Sequence, residues 1–154
     1  MLSDAEKLYQ EIVMRHSRAP DHLHALPNAD AQSDGENPLC GDRVTVQIIY
    51  TNDGRIQDCA FDAKACAITV ASADMMAAAV RGCSADEAQA LFGAINDLVH
   101  TGTSTTLPPQ HAELKALSGV HEFPSRIKCA TLPWATLTAA LANQPHATSE
   151  SVNS

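Results

Sequence analysis

Cys40 and Asp42 stand two residues apart in the stretch Asn37-Pro38-Leu39-Cys40-Gly41-Asp42. A thiol and a carboxylate converging on one point suit a divalent metal that accepts both sulfur and oxygen, zinc first among them. The flanking residues predict a turn that allows this. Pro38 restricts its own φ and pushes Asn37 toward extended backbone, and Gly41 has conformational freedom that a side chain would deny. Two ligands do not close a tetrahedral site. Two further cysteines have useful positions: Cys66 at a predicted strand-to-helix junction, and Cys129 near the start of a predicted helix beside Lys128 and Arg126. Helix N-termini and neighbouring cations both favour the thiolate that metals and electrophilic sulfur need. Cys40, Asp42, Cys66 and Cys129 together would complete a tetrahedral zinc site or form part of an iron–sulfur cluster site. Spacing alone leaves open a plainer alternative, three scattered buried cysteines, because no Cys-x-x-Cys knuckle is present. Cys59 reads as a small core residue and Cys83 as a bystander in a link between helices.

The elements that must position these residues follow from periodicity. Ser3-Asp4-Ala5-Glu6 has the form of a capping box, and Ala5, Leu8, Tyr9, Ile12, Val13 and His16 then trace one helical face to about Arg18. At the end of that face His16 reads as a packed histidine rather than a ligand. Residues 21–36 are polar and read as an irregular loop. Val44, Val46, Ile48 and Tyr50 alternate as in a half-buried strand, and Thr51-Asn52-Asp53-Gly54 turns the chain into a second strand over 55–62. A helix is expected over about 68–80, with Met75 and Met76 in the core. Another follows the capping box Ser84-Ala85-Asp86-Glu87, and a short one covers 113–117. A last helix buries Ala130, Trp134, Leu137 and Leu141. The pattern is α+β, a small antiparallel sheet packed against several helices, with residues 1–144 as one domain and 145–154 as a disordered tail.

Composition narrows the function. The chain has 154 residues, 45% hydrophobic and 18% charged, with a formal net charge of -8. That charge argues against a nucleic-acid surface and against anionic membranes, and weakly favours partners with basic docking surfaces. Neither a signal-peptide pattern nor an apolar run near the ~20 residues of a membrane span is visible, so a cytoplasmic location with reduced thiols is expected. Five cysteines at irregular spacing do not suggest a disulfide framework.

Four segments in order carry a family resemblance: residues 8–16, Asn37 to Asp42, residues 66–76 beginning Cys66-Ala67-Ile68, and Arg126-Ile127-Lys128-Cys129-Ala130-Thr131-Leu132-Pro133-Trp134. Together they resemble the U-type iron–sulfur cluster assembly scaffolds (the NifU N-terminal type), specifically the SufU-like branch, over about residues 6–142. Lys128 before the last cysteine, where Isc-type members carry a histidine, and the segment 98–124 point to that branch. Leu107-Pro108-Pro109 lies too far upstream to match the Isc-type chaperone-binding motif. The resemblance implies that Cys40, Asp42, Cys66 and Cys129 hold Zn²⁺ or, transiently, an iron–sulfur cluster. It implies that Cys40 accepts persulfide sulfur from a SufS-type cysteine desulfurase, one of whose histidines can displace a cysteine from zinc. Sulfur or cluster would then pass to a downstream iron–sulfur carrier or apo-proteins. The chain would have no independent catalytic activity and act as a sulfurtransferase-like partner. Arg126 and Lys128 are auxiliary cations, with Arg126 a candidate partner for Asp42.

Two departures from the family pattern matter. Ala63 and Ala65 stand where glycines are usual before the second cysteine, which predicts a strained or rerouted loop. Pro133 predicts that the last helix either starts near Leu132 or kinks there. Two other readings of the site remain: a structural zinc domain, and a zinc hydrolase with Asp42 as base. The second is disfavoured because four protein ligands leave no position for water.

Overall fold

A computed structural model describes residues 3–148. Helix α1, Asp4–Arg18, opens on the expected reciprocal capping box between Ser3 and Glu6. Strands β1 (Ala31–Asn37), β2 (Asp42–Tyr50) and β3 (Ile56–Lys64) follow. Helix α2 spans Ala67–Ala79 and α3 spans Ala85–Thr101, the latter with its Ser84/Glu87 capping box in place. A 3₁₀ segment, Pro109–Val120, is kinked at His111. Helix α4, Pro124–Leu141, and strand β4, His146–Thr148, end the described chain. Among the described residues no helix is long and apolar enough to cross a membrane.

The sheet order is β3-β2-β1-β4, with β1, β2 and β3 antiparallel and β4 parallel to β1. The β2–β3 hairpin turns at Gly54, whose φ of 85° is the left-handed conformation that the turn needs. Val44, Val46 and Ile48 face inward as their alternation predicts, and meet Phe61 and Cys59 across the ladder. Helices α2 and α4 cover that face. Trp134 is fully buried on α4; its indole N–H donates to Ser72 Oγ at 3.1 Å, and that hydroxyl donates to the Ala130 carbonyl at 2.6 Å. These two bonds fix the crossing of α2 and α4 at a buried polar point, where an unpaired group would be costly.

The loop expected over 21–36 is partly wrong, because its last third is β1. Ala31, Ser33, Gly35 and Asn37 are the buried positions of this strand. They are small or polar, so hydrophobic periodicity does not reveal them. Their small size lets α4 press close. A Cβ on Gly35 would lie 1.9 Å from Thr136 Oγ1 and 3.1 Å from Thr136 Cβ. Gly35→Ala is therefore expected to cost about 1–3 kcal/mol by overpacking, read as a lower denaturation midpoint. An unchanged midpoint would contradict this close approach.

The expected disordered tail also needs correction. Residues 146–148 pair with Asp34, Gly35 and Glu36, because β1 still has a free edge that a third strand can satisfy. Residues 149–154 lie outside the described residues. On α1 only the C-terminal half of the predicted face is covered: Val13 and His16 are buried, whereas Leu8 is 53% exposed.

Candidate metal centre

The turn that ends β1 is built around Asn37. Its carbonyl accepts from Cys40 N–H at 3.3 Å and Gly41 N–H at 2.9 Å, and its side-chain Oδ1 accepts from Leu39 N–H at 3.2 Å. Gly41 has a φ of 76°, which a side chain would strain. Asn37 then pairs in register with Asp42, the first residue of β2. The turn thus leaves the Cys40 thiol exposed and buries the Asp42 carboxylate.

Cys66 is the N-cap of α2, and its own side chain makes no capping bond. Asp42 supplies one from another element. Its Oδ1 accepts the Cys66 N–H at 3.0 Å, and its Oδ2 accepts the Thr69 hydroxyl at 2.7 Å. A carboxylate at the positive end of α2 is well placed electrostatically. Burial by itself would raise the Asp42 pKa, but hydrogen bonds from Thr69, Cys66 and Cys129 outweigh it and hold the carboxyl below its ordinary range.

Cys129 lies inside α4. The helix begins at Pro124, a favourable first position for proline, and runs on through Pro133. This corrects the expectation that the helix starts near Leu132. The helix starts well before Leu132, and Cys129 sits in its second turn. Pro133 is buried and lacks the N–H that would meet the Cys129 carbonyl.

One atom each from Cys40, Asp42 and Cys129 lies within 4.8 Å of the others. Cys66 lies next to this group: its N–H donates to Asp42, and its sulfur neighbours the Cys129 thiol, but it is not one of the three that approach within that distance of one another. The structure thus gathers Cys40, Asp42 and Cys129 at one end of the sheet with Cys66 beside them. The donor set of three sulfurs and one oxygen suits zinc, and three soft sulfurs suit iron as well.

The two neighbouring thiols share their protons unequally. The neighbouring Cys129 thiol lowers the Cys66 pKa to about 6; burial opposes this, and the Thr69 backbone N–H reinforces it. Cys129 is pushed up in turn by the Cys66 sulfur and by burial. Proximity of Lys128 and Arg126 predicted a thiolate at Cys129; the geometry instead favours it at Cys66, where the helix N-terminus and the donors are. The Arg126 guanidinium lies over the Phe123 ring, 4.5 Å from the centroid, on the exposed side of α4.

The strain expected at Ala63 and Ala65 is not present, since neither has positive φ. Ala63 is an ordinary β3 residue opposite Val44, because β3 continues to Lys64 and brings the chain straight to Cys66. Cys59 is fully buried, and burial pushes its thiol up to about 12, with Asp58 adding to the shift. Cys83 is half-buried and contacts the Ala79 carbonyl at 3.7 Å. Both remain outside the cluster. Sequence reasoning missed Thr69, a hydroxyl one turn beyond Cys66, and that position was its only visible signal.

Fold and site define an α+β protein with a candidate thiol–carboxylate metal site at one end of its sheet. The family described as NifU-like N terminal domain matches residues 8–148. The iron–sulfur cluster assembly scaffold protein IscU of Streptococcus pyogenes serotype M1 is 37% identical, over 98% of this chain and 95% of its own. The zinc-dependent sulfurtransferase SufU of Bacillus subtilis (strain 168) is 32% identical, over 92% and 95%. The N-terminal part of a NifU-like protein from Brucella abortus superimposes with a TM-score of 0.79 at 25% identity, over 92% of this chain and 96% of that one. The chain belongs to the NifU-like N-terminal domain family.

Proposed function

We propose that this chain is an iron–sulfur cluster assembly scaffold that holds zinc at Cys40, Asp42, Cys66 and Cys129 and accepts persulfide sulfur at Cys40. The observation that carries this reading is an exposed Cys40 thiol within 4.8 Å of a buried carboxylate and a buried thiol. The names of the Streptococcus and Bacillus relatives support the scaffold and zinc parts of it. When bound, zinc supplies the positive charge that keeps the thiols deprotonated and ties the turn to α2 and α4.

The sulfur step belongs to the chain's own residues. The Cys40 thiolate attacks the terminal sulfur of a donor persulfide. The donor S–S bond breaks, its electron pair leaves with the donor cysteine as a thiolate, and the transferred sulfur keeps its proton on Cys40. No net oxidation occurs, so no further reagent is needed. A thiol exposed at a turn, with Leu39 beside it 74% exposed, suits a macromolecular donor. A cleft of about 580 Å³ elsewhere on the sheet is lined by none of the four site residues. The donor proposed is a cysteine desulfurase of the SufS type, and downstream carriers or apo-proteins are the recipients. Arg126 and Lys128 serve as auxiliary cations beside Cys129.

Protein purified without added metal should contain about one zinc per chain and should raise the turnover of its partner desulfurase. Cys40→Ala should lower the zinc content and abolish the stimulation. A wild-type protein that gives no stimulation, together with Cys40→Ala that keeps its zinc, would refute the proposal. The same three sulfurs favour one further reading, transient cluster assembly. Anaerobic reconstitution that produces visible absorption, with transfer to an apo-acceptor, would place cluster building alongside sulfur acceptance.

A further inference from the structure

Thr69 is fully buried in the first turn of α2, and its hydroxyl lies between two members of the site. It donates to Asp42 Oδ2 at 2.7 Å and sits 3.4 Å from Cys66 Sγ. A hydroxyl has one proton, and the short contact gives it to the carboxylate. Asp42 Oδ1 is engaged by the Cys66 N–H. An ionised carboxylate offers about four acceptor positions, so the bonds from Thr69 and the Cys66 N–H leave it capacity for a metal. Packing alone gives no reason for a hydroxyl here, since valine has the same shape and no polar atom to bury.

Building on the zinc-site reading, we propose that Thr69 is a positioning residue for the metal centre: its hydroxyl holds the Asp42 carboxylate in the orientation in which it meets a cation alongside Cys40, Cys66 and Cys129. Without the hydroxyl, Oδ2 loses its partner in a buried place and the carboxylate is free to rotate about its side chain. Removal of an outer partner of a metal ligand weakens metal binding by about 10–100-fold, which sets the expected scale.

The test compares Thr69→Val with Thr69→Ser. Zinc affinity is measured by competition with a chromophoric chelator, and the visible spectrum is recorded with Co²⁺ in place of zinc. Thr69→Val should bind zinc about 10–100-fold more weakly and shift the Co²⁺ bands, while Thr69→Ser stays near the wild-type values. Since the hydroxyl acts through the carboxylate, adding Thr69→Val to Asp42→Ala should cause no further loss of affinity. Should Thr69→Val fail to fold, Thr69→Ala removes the hydroxyl for the same measurements. Wild-type affinity in the variant lacking the hydroxyl would overturn the inference. So would a serine variant as weak as the valine one, or an equal loss in the Asp42→Ala background. Zinc retained when the cysteines themselves are replaced would instead overturn the zinc-site reading.

Discussion

His16→Ala is expected to destabilise the fold by about 1–3 kcal/mol, the scale for leaving a buried polar group without its hydrogen-bond partner. His16 is buried near the end of α1, with each ring nitrogen facing a carboxylate. Nδ1 lies 2.6 Å from Asp74 Oδ2 on α2, and Nε2 contacts Glu113 of the 3₁₀ segment. Asp74 is only 1% exposed, and its other oxygen accepts the His22 N–H at 2.9 Å. Loss of the imidazole leaves that carboxylate buried with one backbone donor, which is why the cost is large. Glu113 behaves differently. Burial would raise its pKa, but His16 and then Arg15 outweigh this and lower it. Its bond to Arg15, at 3.0 Å, joins two side chains about half exposed or more, so Arg15→Ala should cost no more than about 1 kcal/mol. Urea denaturation at fixed metal loading measures all of these. The double variant His16→Leu/Asp74→Leu should lose less than the two single alanine variants summed, because replacing both partners leaves no buried polar group unpaired by the loss of the other. A His16→Ala midpoint within error of wild type would rule the His16–Asp74 contact out as a determinant of stability.

In metal-stripped protein, Cys66 is expected to react with iodoacetamide at pH 6 about 20-fold faster than an ordinary thiol. Its pKa of about 6, against 9.0 for an unperturbed cysteine, makes half of it thiolate at that pH. The ordinary thiol is about 0.1% thiolate, a difference of roughly 500-fold. A thiolate of lower pKa is also a weaker nucleophile, and a Brønsted slope of 0.4–0.5 over three units removes about 20- to 30-fold of that advantage. At pH 7 the same arithmetic leaves only about fourfold, so the lower pH is the discriminating one. The sign follows from the cause. The Cys66 rate should climb as pH rises through about 6 and level off above it, while Cys59, at about 12, stays unmodified throughout. Mapping the alkylated cysteines by mass spectrometry checks this. Cys129→Ala removes the largest stabilising donor and should move the Cys66 profile to higher pH. A Cys66 profile that ignores Cys129 would show that the thiols do not share a proton.

Much of the scaffold was legible because its signals are local. Both capping boxes, the β2–β3 hairpin and the Asn37–Asp42 turn are determined within a few residues of chain, where side-chain hydrogen bonds and a single glycine decide the backbone. The four candidate ligands were legible from residue type, and from a resemblance in which they recur in order. That three of them meet is a tertiary fact: Cys40, Asp42 and Cys129 come together only because β1, β2 and α4 converge at one end of the sheet. Strand β1 stayed hidden because Ala31, Ser33 and Gly35 are small, and they are small because α4 packs directly on them. The state of each thiol was equally out of reach. Sequence placed cations next to Cys129, yet proton sharing depends on which sulfur receives the hydrogen bond, and folding puts the donors at Cys66. Sequence alone determined which atoms could bind a metal. Their protonation, the orientation of Asp42 by Thr69 and the burial of His16 against Asp74 depend on distances between residues far apart in the chain, and only the tertiary structure decides those.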